Sequence, residues 1–293
     1  ESFTYKKDRS LDSDVMNAHQ KASLGTGNLM KYIEDYYRVN DDFESIVGLS
    51  QIMQAEAIRF AVEAHRRNMP YCMGTLYWQF NDCWPVISWS SIDYGGNWKA
   101  LHYAARKFFS PILLSIRDLD DKIEIHVIND QHREVESRIR LGLFNLNGDI
   151  LFKDSSEINV EPFSSTIYRA FDKIDFLSGI DLYATVFRAE LFVGGKVLSR
   201  AHQFFRRPKY LIIPSPEFDY KIERVRGKYV ITIKSKSFLC QVHLISIKVR
   251  GVFSDNYFEM LPGEVQMIDF EPSENEELKK SELIIRTLHE LMN

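Results

Sequence analysis

Residues 71–98 read YCMGTLYWQF NDCWPVISWS SIDYGGNW, and this stretch decides how the first third of the chain folds. Its first part, from Tyr71 to Trp78, is apolar and does not alternate polar with apolar residues. Such a run is typical of a strand that is covered on both faces, as in a parallel sheet. The sequence therefore predicts a buried strand here, followed by a polar and aromatic loop.

Helical patterns lie on both sides of this strand. Upstream, apolar residues recur at helical spacing over residues 43–67, between the acidic pair Asp41-Asp42 and the basic run His65-Arg66-Arg67. Charges placed in this way stabilise the two ends of a helix dipole. Downstream, residues 99–109 predict a second amphipathic helix. Helix, buried strand, loop and helix form part of an α/β fold, predicted for residues 1–111.

From residue 112 onward the apolar residues recur at every second position. Ile123, Ile125 and Val127, for example, alternate with polar residues. Asn147-Gly148 and Gly194-Gly195 each separate two such runs, and two-residue hairpin turns favour these pairs because both positions adopt positive φ. Short strands at this spacing predict an antiparallel β-sandwich without helices over residues 112–208.

A connector with several prolines, from Arg206 to Pro216, separates this unit from the end of the chain. Beyond it, apolar and polar residues alternate again, and residues 283–288 are expected to form the closing strand. The chain is therefore divided into residues 1–111, an α/β segment, and two antiparallel β-sandwiches at residues 112–208 and 209–293.

Composition excludes several classes of function. With 37 basic and 41 acidic residues the net charge is −4, which gives no basic field for nucleic acid or for a membrane surface. No apolar run approaches the roughly 20 residues that a membrane helix needs. Cys72, Cys83 and Cys240 lack the spacing of a disulfide framework or a zinc site. No phosphate-binding loop or metal motif is present, so no cofactor is expected.

All four tryptophans, at positions 78, 84, 89 and 98, fall within 21 residues. Indole rings stack on the apolar C–H faces of sugar rings, and the same segment carries many hydrogen-bonding side chains. An aromatic platform with a polar rim describes a carbohydrate site. A hydrophobic core between two parts of the molecule is the alternative that composition alone leaves open.

The segment GTLYWQFNDCWPVISWSSIDY at 74–94 and NWKALHY at 97–103 resemble the signature of the β-mannosidases of glycoside hydrolase family 2. VMNAHQK at 15–21 and EAHRRN at 63–68 extend the match over most of residues 10–111. This resemblance implies the C-terminal fragment of a (β/α)8 barrel followed by two immunoglobulin-like β-sandwiches. Residues 71–80 would be the eighth barrel strand, and the helices at 43–67 and 99–109 the last two helices.

The resemblance also implies site residues. Trp78 would end a barrel strand on the face that carries active sites and would form the floor of the subsite for the terminal mannose. The peptide bond after it is expected to be cis in the intact parent. Asn81, Asp82 and Trp84 are further candidates for substrate contact, although Asn81 and Asp82 have loop-tying roles as their alternative. Trp84 and Trp89 are candidates for lining an outer subsite, with packing under the loop as the alternative. Trp98 and three histidines, at 19, 65 and 102, are expected to be structural.

The two glutamates of a retaining glycosidase are not recognised in this chain. Glu1-Ser2-Phe3 is a poor match to the nucleophile motif, and the family spacing places that glutamate upstream of Glu1. The chain is thus interpreted as an inactive part of a retaining exo-β-mannosidase whose partners are β-mannosides or mannose-containing oligosaccharides. Other family 2 β-glycosidases, or a non-catalytic carbohydrate-binding or structural module, are the alternatives.

The sequence leaves the compartment open but predicts self-association. The compartment is not fixed, with a periplasmic or secreted location as one alternative if the parent is bacterial. An incomplete barrel would leave apolar strand and helix faces uncovered, so self-association through residues 40–110 is expected.

Overall fold

The computed structural model describes residues 4–293, with the longer helices in the first third and β-sheets in the rest. The long helix predicted at residues 43–67 is confirmed, and the helix predicted at 99–109 is shorter by one residue at each end. The helices of this region are α1 (Asp14–Ala18), α2 (Gly25–Tyr36), α3 (Phe43–Arg67) and α4 (Ala100–Phe108).

The predicted buried strand at residues 71–78 is not present, and this prediction was wrong for this chain. Residues 71–80 have no regular secondary structure, and Tyr71 and Leu76 are 97% and 99% exposed. A parallel strand is buried only when neighbouring strands pair with both of its edges. Within residues 4–293 no strand pairs with this segment, so its apolar side chains lie uncovered.

The first β-region contains two antiparallel sheets, a three-stranded one in the order β1-β2-β5 and a four-stranded one in the order β4-β3-β6-β7. Its strands are β1 (Ile112–Asp118), β2 (Lys122–Asn129), β3 (Val135–Asn145), β4 (Ile150–Val160), β5 (Ser164–Asp172), β6 (Thr185–Val193) and β7 (Lys196–Phe204). Ile125 and Val127 of one sheet and Leu141 and Phe187 of the other belong to a single buried cluster. This is the core of a β-sandwich.

A hairpin connection is found at both predicted places, but the prediction that Asn147 and Gly148 both adopt positive φ was wrong. Gly194 and Gly195 join β6 to β7 with φ of 57° and 80°, as a two-residue turn with two positive φ values requires. Between β3 and β4 only Gly148 has a positive φ, of 100°. The amide of Asn145 bonds to the carbonyl of Asp149, so that loop has three residues and needs only one left-handed position.

The alternation in β2 does not place its polar residues in solvent. Glu124 and His126 are 3% and 5% exposed. Lys122 and Arg117 reach the Glu124 carboxylate at 2.7 and 3.4 Å, and His126 Nε2 lies 3.2 Å from it. Burial lowers the pKa of His126 below its usual value. This face of the sheet therefore carries an ionic cluster in which Glu124 and His126 are buried while Lys122 and Arg117 are nearly half exposed.

The second β-region also contains two antiparallel sheets, in the orders β11-β13-β9-β8 and β12-β10-β14. Its strands are β8 (Phe218–Val225), β9 (Lys228–Ser235), β10 (Leu239–Ser246), β11 (Gly251–Phe253), β12 (Phe258–Met260), β13 (Val265–Pro272) and β14 (Leu283–Arg286). Ile231, Leu244 and Ile268 belong to its buried core.

Two short α-helices, besides 3-10 turns at Pro208–Tyr210 and Lys280–Glu282, depart from the helix-free pattern predicted for the β-regions. Helix α5 (Lys173–Phe176) begins where Asp172 Oδ1 accepts the amide hydrogen of Asp175 at 3.0 Å. Helix α6 (Leu288–Met292) follows β14, so the predicted closing strand ends at Arg286. Thr287 and Glu290 form a capping box that starts α6, and a capping box of this kind favours a helix at that point.

The chain divides into two compact units that do not follow the sequence order. One contains the described residues up to Ala57, with Tyr77–Ala104 and Pro214–Asn293; the other contains Ile58–Leu76 and Ala105–Ile213. No helix within residues 4–293 is long and apolar enough to cross a membrane.

Candidate functional site

Residues 77–98, here called the tryptophan loop, fold back on themselves after the exposed segment. The amide of Ile92 bonds to the carbonyl of Phe80 at 2.9 Å, and the amide of Asp82 bonds to the carbonyl of Ile92 at 3.2 Å. Asn81 and Ile92 form a parallel bridge. The peptide bond between Trp78 and Gln79 is cis in this chain. Two short stretches of the loop thus run side by side from Gln79 onward.

The indole of Trp78 is 75% exposed, although it lies within this hydrogen-bonded backbone. Exposure of so large an apolar surface is unusual for an ordered residue. A flat aromatic face held in this way is available to stack on a partner.

Asp82 is 5% exposed and is engaged inside the loop. Ser88 donates to its Oδ1 at 2.6 Å, Ser90 donates to its Oδ2, and Lys99 Nζ lies 3.4 Å from Oδ2. Its two oxygens and its charge are therefore satisfied by neighbouring residues of the chain. Asn81 is exposed, and its Nδ2 makes one long contact, 3.4 Å, to the carbonyl of Asp82.

Trp84 is 37% exposed and stacks on the imidazole of His19, with ring centroids 5.2 Å apart. Trp89 is half-buried; its Nε1 is buried without a hydrogen-bond partner, while its carbonyl accepts from Gln54 Nε2 at 2.8 Å. A cavity of about 20 Å³ lies among the lining residues Lys21, Gln79, Asp82, Cys83, Trp84, Val86, Ser88 and Trp89. This volume suits one water molecule and not a sugar ring.

Trp98 has a different environment from Trp78. Its ring lies edge to face against those of His102 and Tyr103, with centroid distances of 4.4 and 5.3 Å. Trp98 also packs against the core of the second β-region. The structural role predicted for Trp98 is confirmed by these contacts. The structural hydrogen bonds predicted for the three histidines are also confirmed. The Nδ1 atom of His19 contacts Pro85 O, that of His65 contacts Thr75 Oγ1, and that of His102 contacts Ser91 Oγ.

The glutamates of the helical region have partners that suit structural roles. Glu44 pairs with Arg9 at 3.2 Å and with Arg286 at 3.0 Å, and Glu63 is buried beside Arg59 and Arg67. Glu1, considered above as a poor nucleophile candidate, lies outside the described residues. Among residues 4–293, no group of three His, Cys, Asp or Glu side chains is placed to hold a metal ion.

Sequence reasoning missed the residue at the centre of the loop. Ser91 is fully buried, and its hydroxyl contacts Tyr77, Phe80 and His102. The sequence offered only a serine in a polar stretch, and no periodicity marks it as buried. Its contacts depend on how the loop closes.

Two domain-family models match the β-regions. Residues 121–210 match the Mannosidase Ig/CBM-like domain, and residues 213–291 match an Ig-fold domain. The two sandwiches are thus immunoglobulin-like domains, the first of a kind that is named for mannosidases.

Similarity to known proteins extends beyond these domains. The chain is 25% identical over 285 residues to β-mannosidase B of Aspergillus niger, covering 90% of this chain and 33% of the relative. It is 33% identical over 143 residues to the β-mannosidase of Capra hircus, covering 44% of this chain and 16% of that protein. It superposes on the β-D-mannosidase of Dictyoglomus thermophilum with a TM-score of 0.87 and 27% identity, covering 97% of this chain and 34% of the other.

The fold also resembles that of an exo-chitosanase of Amycolatopsis orientalis, with a TM-score of 0.72 and 17% identity over 91% of this chain and 37% of the other. The chain spans about a third of the length of the β-mannosidase B sequences that it matches. Sequence and structure together show that it corresponds to the C-terminal part of a glycoside hydrolase family 2 β-mannosidase.

Proposed function

We propose that this chain is the C-terminal part of a retaining exo-β-mannosidase, and that Trp78 forms the floor of the subsite for the terminal mannose. The observation that carries the proposal is the exposed face of Trp78, 75% open, within the segment 74–94 that resembles the β-mannosidase signature. The C–H face of a mannose ring matches such a surface, while its hydroxyl groups need polar partners around the rim.

The neighbouring candidates take different roles in this proposal. Asn81 is exposed three residues after Trp78, so its amide, which makes only a long contact to the Asp82 carbonyl, is accessible to a sugar hydroxyl. Trp84 offers a partly exposed ring, braced by His19, to an outer sugar unit. Asp82 supports the site by holding the loop, because Ser88, Ser90 and Lys99 occupy its carboxylate.

The barrel assignment is also part of the proposal. Helix α3, the segment 71–80 and helix α4 would be the seventh helix, eighth strand and eighth helix of a (β/α)8 barrel, with a domain boundary near residue 111 and another near residue 208. The exposed apolar side chains of Tyr71, Met73 and Leu76 support this, since the interior and the outer helices of a closed barrel would cover them. Burial of those three side chains would stabilise a closed barrel by several kcal/mol.

Catalysis would depend on the remainder of the protein. Retaining hydrolysis needs a nucleophilic carboxylate and an acid/base carboxylate roughly 5 Å apart. Glu44 and Glu63, which have structural arginine partners here, are poor choices for either role. Trp78 alone supplies a stacking face, and binding that is equal in ground state and transition state does not lower the chemical barrier.

The experiment compares the 293-residue chain with the intact parent on an aryl β-mannoside, with aryl β-glucosaminide and aryl β-galactoside as controls for substrate class. We expect turnover by the parent, preferentially on the mannoside, and none by the chain alone. Turnover by the chain that disappears on Glu34→Gln, Glu44→Gln, Glu56→Gln or Glu63→Gln would contradict the proposal. A parent that prefers the glucosaminide would place the protein in another activity class.

A further inference from the structure

Ser91 contacts the chain on both sides of Trp78. Its hydroxyl lies 2.8 Å from the Tyr77 hydroxyl and 2.9 Å from the Phe80 carbonyl, and its own amide donates to the Gln79 carbonyl at 3.0 Å. Residues 77, 79 and 80 are thus all bonded to one fully buried serine. The position of the Trp78 backbone follows from these contacts.

The direction of each hydrogen bond at the Ser91 hydroxyl follows from the number of bonds that a serine can donate and accept. A serine hydroxyl donates one hydrogen and accepts up to two. A carbonyl oxygen only accepts, so the hydroxyl hydrogen goes to Phe80. Tyr77 must then donate to Ser91 Oγ, and the remaining contact, 3.1 Å from His102 Nδ1, requires a hydrogen on that nitrogen.

His102 is itself held in place. It lies on helix α4, and its ring contacts Trp98 at 4.4 Å and Phe80 at 5.6 Å, both edge to face. Trp98 packs in turn against the core of the second β-region. Because rings packed from two sides cannot rotate freely, the Nδ1–H of His102 points at Ser91 in a fixed direction.

We infer that Ser91 and His102 are positioning residues for the sugar-binding face of Trp78, with His102 carrying a proton on Nδ1. The inference rests on the proposed function of Trp78 and adds two residues that determine where its ring stands. Each acts through the backbone around Trp78, and neither touches substrate.

The first test uses this chain without substrate. Tryptophans are labelled with fluorine, the Trp78 resonance is assigned with Trp78→Phe, and the tautomer of His102 is read from its ring nitrogen shifts. We expect a protonated Nδ1, and a shift or broadening of the Trp78 resonance in Ser91→Ala and His102→Phe. Ser235→Ala is the matched control, because Ser235 is equally buried but bonds to Leu261 in the second β-region.

An unprotonated Nδ1, or a Trp78 resonance that is the same in Ser91→Ala as in Ser235→Ala, would overturn the inference. If Ser91→Ala does not fold, Tyr77→Phe removes one bond at the same hydroxyl and must also shift the Trp78 resonance. These readouts hold or fail whether or not the parent hydrolyses mannosides.

The second test measures kinetics of the intact parent. Displacement of a stacking face weakens binding of the ground state and transition state alike, so KM should rise about tenfold in His102→Phe with little change in kcat. His102→Asn should restore most of the affinity, because its amide supplies a donor near the position of Nδ1. Equal KM values for His102→Phe and wild type would count against the role of His102.

Discussion

The imidazole of His243 and the phenol ring of Tyr257 stack with their planes 3° apart and their centroids 5.2 Å apart. His243 is 4% exposed on β10, and its cross-strand partner on β14 is Arg286. Burial, aided by the charge of Arg286, lowers the pKa of His243 from 6.5 to about 4, against the opposing effect of a backbone hydrogen bond at Gln241. The ring is therefore neutral at pH 7.

This predicts a loss of stability in acid. Because the folded pKa lies below the unfolded one, unfolding takes up a proton between pH 6.5 and 4, and stability is complete only above that window. The free energy of unfolding should fall by roughly 3 kcal/mol across it on account of His243 alone. Urea denaturation at a series of pH values, with His243→Phe beside the wild type, measures this contribution.

The variant should show a smaller decline between pH 6.5 and 4 than the wild type. His132→Gln, which changes an exposed histidine, serves as the control and should retain the wild-type slope. Identical slopes for His243→Phe and wild type would refute this prediction.

A second prediction concerns the buried charges at the end of α3. Arg67 donates to Ser115 Oγ at 2.6 Å and lies 3.6 Å from Glu63, and both charged side chains are under a tenth exposed. Glu63→Leu should lower the free energy of unfolding by about 3 kcal/mol, because Arg67 is left as an uncompensated buried charge.

The double variant Glu63→Leu/Arg67→Met should recover most of that loss, since it removes both buried charges, and Arg59, which also pairs with Glu63, is 32% exposed to solvent. Glu157→Gln removes the exposed partner of Arg138 and should change stability little. Additive losses in the double variant would show that Glu63 and Arg67 are not coupled.

The third prediction separates two tryptophans by environment. In the intact parent, Trp78→Ala should lower kcat/KM for an aryl β-mannoside about a hundredfold or more, because the stacking face is lost. Trp98→Ala should have a much smaller effect on kcat/KM and should mainly lower the melting temperature, because Trp98 packs against Tyr103 and His102. Comparable losses of kcat/KM in the two variants would remove the basis for assigning Trp78 to the site.

The fourth prediction is that this chain self-associates through the segment 71–80. Tyr71 and Leu76 are almost fully exposed, and apolar surface of this kind is removed from water by contact with a second copy. Tyr71→Lys/Leu76→Lys should shift the sedimentation distribution toward monomer. Ile174→Lys, which changes an apolar residue elsewhere that is 78% exposed, should leave the distribution unchanged.

The parts of the fold that were predicted correctly depend on local sequence. Helix α3 has an apolar face and charged ends within its own sequence. The positive φ values of the Gly194-Gly195 turn depend only on the two glycines themselves. The prediction of a strand at residues 71–78 was wrong because a strand needs a neighbouring strand to accept and donate its backbone hydrogen bonds. Residues 4–293 contain no strand that pairs with this segment.

The candidate site shows the same division. An exposed aromatic at Trp78 could be proposed from the tryptophan-rich string and the resemblance that it carries. The roles of Ser91 and Asp82 depend on contacts across the closed loop, and the burial of Glu124 depends on cations from Arg117 and Lys122. Residue type and spacing do not predict such contacts, because the contacts join residues that come together only after the chain has folded.

The two compact units are interleaved along the chain, and this affects the order in which they are completed during synthesis. The unit that contains the tryptophan loop also includes Pro214–Asn293, so the ribosome has to translate residues 214–293 before that unit has all these parts. The other unit is complete once Ile213 has left the exit tunnel. A premature stop near residue 213 should therefore yield one folded sandwich attached to an unfolded tryptophan loop, a species that a cell's quality-control proteases would recognise.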